Sequence, residues 1–162
     1  LNNKNVLDLG CGTGTMLKHT VEKTKCNAYG VDLIRLNIHQ AKKKVPSGNF
    51  YRGDIIKYID DLDKKFDFVI LYGVIGCFPL PDQKKIINKI IESLNSGGML
   101  WIGANLYDDF DYKFQTYTVP RDFYDDYKSS SRLIFDEVIE EELFGKHKYE
   151  PKQTSVMITY QP

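Results

Sequence analysis

The segment Val6-Leu7-Asp8-Leu9-Gly10-Cys11-Gly12-Thr13-Gly14 constrains the fold of this chain more than any other stretch. A short apolar run with one carboxylate near its end breaks into glycines at alternate positions. A helix-compatible stretch, Thr15 to Thr24, follows at once. This is the pattern of a buried parallel strand feeding a tight loop and then a helix, the local geometry of a nucleotide-cofactor site in an open α/β sheet. Glycine suits the loop because it admits positive φ and lets the backbone approach a ligand closely.

The rest of the chain alternates strand-like and helix-like segments, as a parallel sheet with crossover helices requires. Strands are expected at Asn5–Leu9, Asn27–Val31, Asn49–Arg52, Phe66–Tyr72 and Met99–Ala104. Between them, helices are expected over Thr13–Lys25, Ile34–Val45, a short piece through Ile59, and Pro81–Leu94. The last of these carries Ile86, Ile87, Ile90, Ile91 and Leu94 at helical spacing, with proline just inside its start and Asn95-Ser96-Gly97-Gly98 ending it. A further helix is expected at Pro120–Ser129, and two strands at Leu133–Phe144 and Thr154–Tyr160.

Dinucleotide binders use G-x-G-x-x-G, whereas Gly10-x-Gly12-x-Gly14 is one residue tighter. The lysine and serine/threonine pair of a P-loop is missing. With the acid at Asp8, Val6 to Gly14 resembles the first motif of the class I S-adenosylmethionine-dependent methyltransferases at every defining position. The resemblance implies a doubly wound α/β fold: a seven-stranded, mostly parallel sheet of order 3-2-1-4-5-7-6 with helices on both faces. It also implies S-adenosyl-L-methionine as cofactor. The chain opens on Leu1, a few residues ahead of its first strand, where this family usually carries helices that help cover the substrate. The expectation is one methyltransferase core over residues 1–162 that lacks those N-terminal helices.

The resemblance distributes cofactor roles along the carboxyl ends of the strands. Gly10, Cys11, Gly12 and Gly14 supply backbone for the methionine and ribose parts. Asp8 lies inside an apolar strand, where an unpaired carboxylate is costly. It is expected to bond the loop N–H groups, the cofactor's ammonium, or both. Asp32 ends the second strand, where an acid accepts ribose hydroxyls and disfavours a phosphate; Leu33 and Ile34 beside it flank the adenine. Asp54 matches the acid that bonds the adenine amino group, with Ile55 packing on the ring, and an N-cap role for Asp54 is compatible with this. Leu71 and Tyr72 end the fourth strand beneath the reactive sulfur, where a tyrosine face suits a sulfonium; core packing is the alternative for Tyr72.

Composition narrows the partners. Lys+Arg and Asp+Glu are both 22, so no net field draws in nucleic acid, and nucleic acid is not expected as a partner. The cysteines, Cys11, Cys26 and Cys77, follow no C-x-x-C spacing and read as reduced thiols of a cytoplasmic chain. No apolar run approaches the ~20 residues of a membrane helix.

The methyl acceptor leaves a fainter trace. Tyr72-Gly73-Val74-Ile75 stands where amino-methylating nucleic-acid enzymes carry an Asn/Asp/Ser-Pro-Pro-aromatic motif. Cys77-Phe78-Pro79 lacks the Pro-Cys order of cytosine carbon-5 enzymes, and no clear acid follows the fourth strand to hold a metal. The segment from Asn105 to Lys128 interleaves aromatics such as Tyr107, Phe110 and Tyr112 with aspartates. It reads as an acceptor-pocket wall, as a closure of the sheet end, or as a contact with a partner chain, a homodimer included. A general base is needed only if the acceptor must lose a proton; His147, Tyr72 and Tyr107 are the candidates, while His19 and His39 fall on flanking helices. The expected activity is methyl transfer to an oxygen or nitrogen of a small molecule. RNA or protein methylation, and a non-catalytic cofactor-binding module, are the alternatives; aminopropyl transfer and nicotinamide binding fit the motifs less well.

Overall fold

The computed structural model describes residues 1–106, 124–130, 132–140 and 152–161. Its first half runs β1 (Asn5–Leu9), α1 (Thr15–Thr24), β2 (Asn27–Asp32), α2 (Arg35–Lys44), β3 (Asn49–Arg52) and α3 (Ile55–Asp60). Then come β4 (Phe66–Tyr72), a 3-10 turn (Ile75–Cys77), α4 (Leu80–Glu92), β5 (Leu94–Leu106), α5 (Asp125–Lys128), β6 (Leu133–Glu140) and β7 (Lys152–Tyr160). The strands form one seven-stranded sheet of order β3-β2-β1-β4-β5-β7-β6. Neighbours from β3 through β5 are parallel, and β7 runs antiparallel between β5 and β6. This is the expected topology.

Strands β1 and β4 read as near-continuous apolar runs because both faces of the sheet are covered. Leu7 and Leu9 project to the face packed by α3 and α4, where Ile86, Ile87 and Ile90 are almost fully buried. Val6 projects to the other face and joins Leu17 of α1, Ile38 and Ala41 of α2, and Phe50. Burial of these two apolar layers is the main favourable term in folding. Among the described residues no helix is long and apolar enough to cross a membrane.

The α4–β5 boundary differs from expectation. The helix ends at Glu92, and Leu94 already pairs with Phe66 of β4. Register then shifts between Phe66 and Phe68, so Asn95-Ser96-Gly97-Gly98 forms an irregularity inside β5 rather than a free turn. Asn95 explains it: its Nδ2 donates to Asp67 Oδ1 at 3.0 Å, drawing the turn onto β4. Of the helix expected at 120–129, residues 120–123 lie outside the described residues, and Asp125–Lys128 is helical. The strand expected to reach Phe144 is described as far as Glu140.

Asp67, the polar exception in β4, is thereby accounted for. It accepts hydrogen bonds from Asn5 N at 2.9 Å, from Asn95, and from Lys4 Nζ at 3.3 Å. Partial burial pushes its pKa up, but these bonds outweigh that and hold it below the usual carboxylate range. A depressed pKa contributes stability above the unfolded value, and that contribution is lost as the pH falls through the lower folded value. Asp67→Ala is expected to cost about 1–3 kcal/mol in urea unfolding at pH 7, since the bonds from Asn5 and Asn95 are worth about 0.5–1.5 kcal/mol each and the exposed Lys4 pair adds little. The gap between variant and wild type should narrow on acidification below the carboxylate range.

Candidate functional site

The glycine loop closes over the end of β2. Gly10 N and Cys11 N both donate to Val31 O, at 2.8 and 2.9 Å, and Gly14 N donates to Cys11 O at 2.9 Å. Gly10, Gly12 and Gly14 have φ of +78°, +51° and +77°. Their surroundings differ. A Cβ on Gly10 would meet Val74 Cγ2 at 2.2 Å, and one on Gly14 would meet Ala41 Cβ at 2.9 Å. Among the described residues nothing lies within 4 Å of a Cβ on Gly12. Internal packing therefore excludes side chains at Gly10 and Gly14, whereas of these three glycines Gly12 faces space that no described residue fills.

The loop is held by Asp32, which is 9% exposed. Its Oδ2 accepts from Gly12 N at 2.9 Å; its Oδ1 accepts from Ile34 N at 2.8 Å and Asn37 Nδ2 at 3.1 Å. A carboxylate has about four acceptor positions, so one remains, on Oδ2. The sequence reading missed Asn37. The signal was present, since an amide in the first turn of a helix just after a strand-ending acid lies close to that acid.

Of the two kinds of partner expected for Asp8, the loop N–H groups are not engaged, which leaves the cofactor's ammonium. The Gly12 N–H goes to Asp32 instead, and among the described residues no hydrogen bond reaches the Asp8 carboxyl. Asp8 is 3% exposed and sits between Gly30 of β2 and Ile70 of β4. Burial, reinforced by repulsion from Asp32, pushes its pKa up to about 7. Cys11 shares this environment. Burial first, then the charges of Asp8 and Asp32, push its thiol up to about 12. The sulfur points into the core, where a Cβ on Gly30 would meet it at 2.9 Å, so only the backbone of Cys11 is available to a ligand.

The remaining residues fall into two groups. Leu33 and Ile34 are 65% and 56% exposed, an unusual exposure for large apolar side chains at the mouth of a strand. Asp54 is exposed and caps α3, its Oδ1 accepting from Ile56 N at 2.8 Å and Lys57 N at 3.2 Å. Ile55 and Leu71 are buried in the core packed by α3 and α4, so neither side chain stands open at the strand ends. Tyr72 lies partly exposed, its ring 5.2 Å from that of Trp101 and above Gly103, where a Cβ would meet the ring at 2.2 Å. The structure thus brings Gly12, Asp32, Leu33, Ile34 and Asp54 to neighbouring strand ends. His147 and Tyr107 lie outside the described residues, as does most of the aromatic and acidic segment after β5. His19 and His39 are exposed on α1 and α2. Among the described residues no group of three or more His, Cys, Asp or Glu side chains is arranged to hold a metal.

Residues 6–98 match the family model described as a methyltransferase domain. The chain belongs to that family. Together with the sheet order, this makes it a class I methyltransferase domain, as the first motif implies. An uncharacterized protein of Rickettsia prowazekii is 31% identical over 110 residues, which is 65% of this methyltransferase domain and 20% of the relative. An uncharacterized RNA methyltransferase of Clostridium acetobutylicum is 28% identical over 65% of the chain and 23% of its own length. The chain spans less than half the length of the first curated relatives it matches, 20% and 44%. Among solved structures, an S-adenosylmethionine-dependent methyltransferase from Clostridium acetobutylicum superposes with a TM-score of 0.75 at 18% identity, covering 100% of this chain and 86% of that one. PKMT2 of Rickettsia typhi in complex with AdoHcy gives a TM-score of 0.59 at 28% identity, over 65% and 22% of the two chains. An RNA methyltransferase among the relatives removes support for the expectation that nucleic acid is not a partner: a net charge of zero does not exclude a local basic surface.

Two outcomes follow for the loop. Gly12→Ala should cost only the left-handed strain, about 1–2 kcal/mol. Gly10→Ala should cost that plus a further 1–3 kcal/mol or so of overpacking against Val74, read as the difference between the two variants in chemical unfolding. Iodoacetamide on the native domain at pH 8 should label exposed Cys77, with Cys11 and Cys26 protected until unfolding, as peptide mass mapping would show.

Proposed function

We propose that this domain binds S-adenosylmethionine at the carboxyl ends of β1 to β4 and transfers its methyl group to an oxygen or nitrogen of a small molecule. The observation that carries the reading is the opening above Gly12, bordered by Asp32 and by the exposed Leu33 and Ile34. These features suit an adenosyl group. Apolar side chains flank an aromatic base, and a carboxylate rejects the phosphate that a dinucleotide would bring. The relative of known structure at 28% identity was crystallised with AdoHcy.

Each residue then has a task. Asp32 takes one ribose hydroxyl on the free position of Oδ2, and both hydroxyls once the Asn37 amide turns aside. Asp54 receives the adenine amino group on Oδ2, which takes no hydrogen bond among the described residues while Oδ1 caps α3. Gly10, Cys11, Gly12 and Gly14 present backbone to the methionine part, and Asp8 faces its ammonium. Ile55 supports the base from within the core, and Leu71 contributes main chain. Tyr72 offers a ring edge or face near the sulfonium. The bound cofactor supplies an electrophilic methyl on a good leaving group. The protein's main contribution is alignment, worth up to roughly 7–11 kcal/mol.

Equal numbers of acidic and basic residues support a small-molecule acceptor, as does the lack of an Asn/Asp/Ser-Pro-Pro-aromatic motif after β4. The RNA methyltransferase among the relatives supports the second reading, methylation of RNA. Incubation with labelled S-adenosylmethionine and a cell extract separates them: label in the small-molecule fraction is expected, and label in RNA overturns the first reading. S-adenosylmethionine or AdoHcy at ~100 times its dissociation constant should add about 2.7 kcal/mol of stability, with no gain from NAD. Asp32→Ala should weaken AdoHcy by about tenfold or more, since a hydrogen bond to a charged group is worth about 1.5–3 kcal/mol. Unchanged affinity would remove Asp32 from the site.

A further inference from the structure

We propose that Asp8 carries a proton in the free domain and releases it when the ammonium of the cofactor binds, so that cofactor capture is coupled to pH. The inference rests on the cofactor reading above and adds a protonation step to it. Three observations on the fold support it. The Asp8 side chain is 3% exposed, and no hydrogen bond reaches its carboxyl among the described residues. A second carboxylate, Asp32, lies on the adjacent strand two positions beyond Gly30, the residue in register with Asp8. Asp32 also collects the donors that would otherwise stabilise a charge here, from Gly12, Ile34 and Asn37.

Among the described residues, the groups facing Asp8 supply no compensating cation. Its own loop contributes Cys11, a thiol that stays neutral because burial raises its pKa to about 12. From β2 come Gly30 and the Asp32 carboxylate, and from β4 the apolar Ile70. The second strand's helix, α2, contributes the neutral amide of Asn37 through Asp32. The lysine of α2 that reaches this loop, Lys44, donates to the hydroxyls of Thr13 and Thr15 and does not act on Asp8. A buried carboxyl between a like charge and apolar walls holds its proton, consistent with a pKa near neutrality.

An arriving ammonium reverses this balance. The Asp8 O–H bond breaks, the proton leaves to solvent, and the ammonium keeps all its own protons opposite the new carboxylate. By linkage, affinity is highest where Asp8 is already ionised and falls as the pH drops through its free-state value.

Calorimetric titration with AdoHcy, which has no methyl to lose, tests this on the intact domain. Between pH 8 and pH 6 the dissociation constant should rise by about tenfold. At pH 7, titrations in two buffers of different ionisation enthalpy should report release of about half a proton per site. Asp8→Asn should bind more weakly with no pH dependence and no proton release over that range. Infrared difference spectra of the wild-type domain should lose a carboxylic-acid carbonyl band on binding, a readout that does not depend on the variant folding. A dissociation constant that is flat from pH 6 to pH 8, the same proton release from Asp8→Asn, or no loss of the acid band overturns the proposal. Failure of AdoHcy to bind at any pH strikes the cofactor reading instead.

Discussion

The Asp32 carboxylate is the joint on which the candidate site depends. It ties the loop after β1 to the start of α2 through Gly12 N, Ile34 N and Asn37, at distances of 2.8 to 3.1 Å. Without it the part-buried Gly12 N–H loses its acceptor among the described residues, and a hydrogen bond to a charged group is worth about 1.5–3 kcal/mol. The same contacts leave one acceptor position on Oδ2 without a hydrogen bond among the described residues. One side chain thus shapes the loop and, in the proposed function, meets the cofactor's sugar.

A consequence falls on its neighbour. The peptide N–H groups that hold Asp32 are unavailable to Asp8, which is left in an apolar strand beside a like charge. A carboxyl that keeps only a thin edge to solvent and takes no hydrogen bond among the described residues is costly, and groups with such perturbed ionisation cluster at sites of binding. The open space above Gly12 and the exposed Leu33 and Ile34 occur at the same strand ends. Among the described residues packing elsewhere is conventional, with two apolar layers and most large aliphatic side chains of β1 to β5 buried.

Much of this was legible in the chain because periodicity and glycine placement carry it. β1 and β4 are apolar throughout since both their faces are covered, and Asp8 and Asp67 stand out against that background. The limits of α4 were harder to read. Leu94 continues the helical spacing of Ile86, Ile87 and Ile90, yet it pairs in the sheet because Asn95 bonds Asp67, a contact across 28 residues that no local pattern encodes. The division of labour between Asp8 and Asp32 was likewise hidden, as it depends on where the loop's N–H vectors point. Ile55 was expected against a ligand from its place after Asp54, whereas the first turn of α3 rotates it into the core. In sequence the three glycines look like one ligand-facing set; contacts with Val74 and Ala41 divide them.

The central claim is that the open space over Gly12 holds an adenosyl group with its sugar on Asp32. A crystal structure of the domain grown with AdoHcy tests this most directly. The account predicts the ribose at Asp32, the adenine between Ile34 and Asp54, and the ammonium against Asp8. A pyrophosphate seated on the loop, or AdoHcy bound away from Asp32, would contradict it.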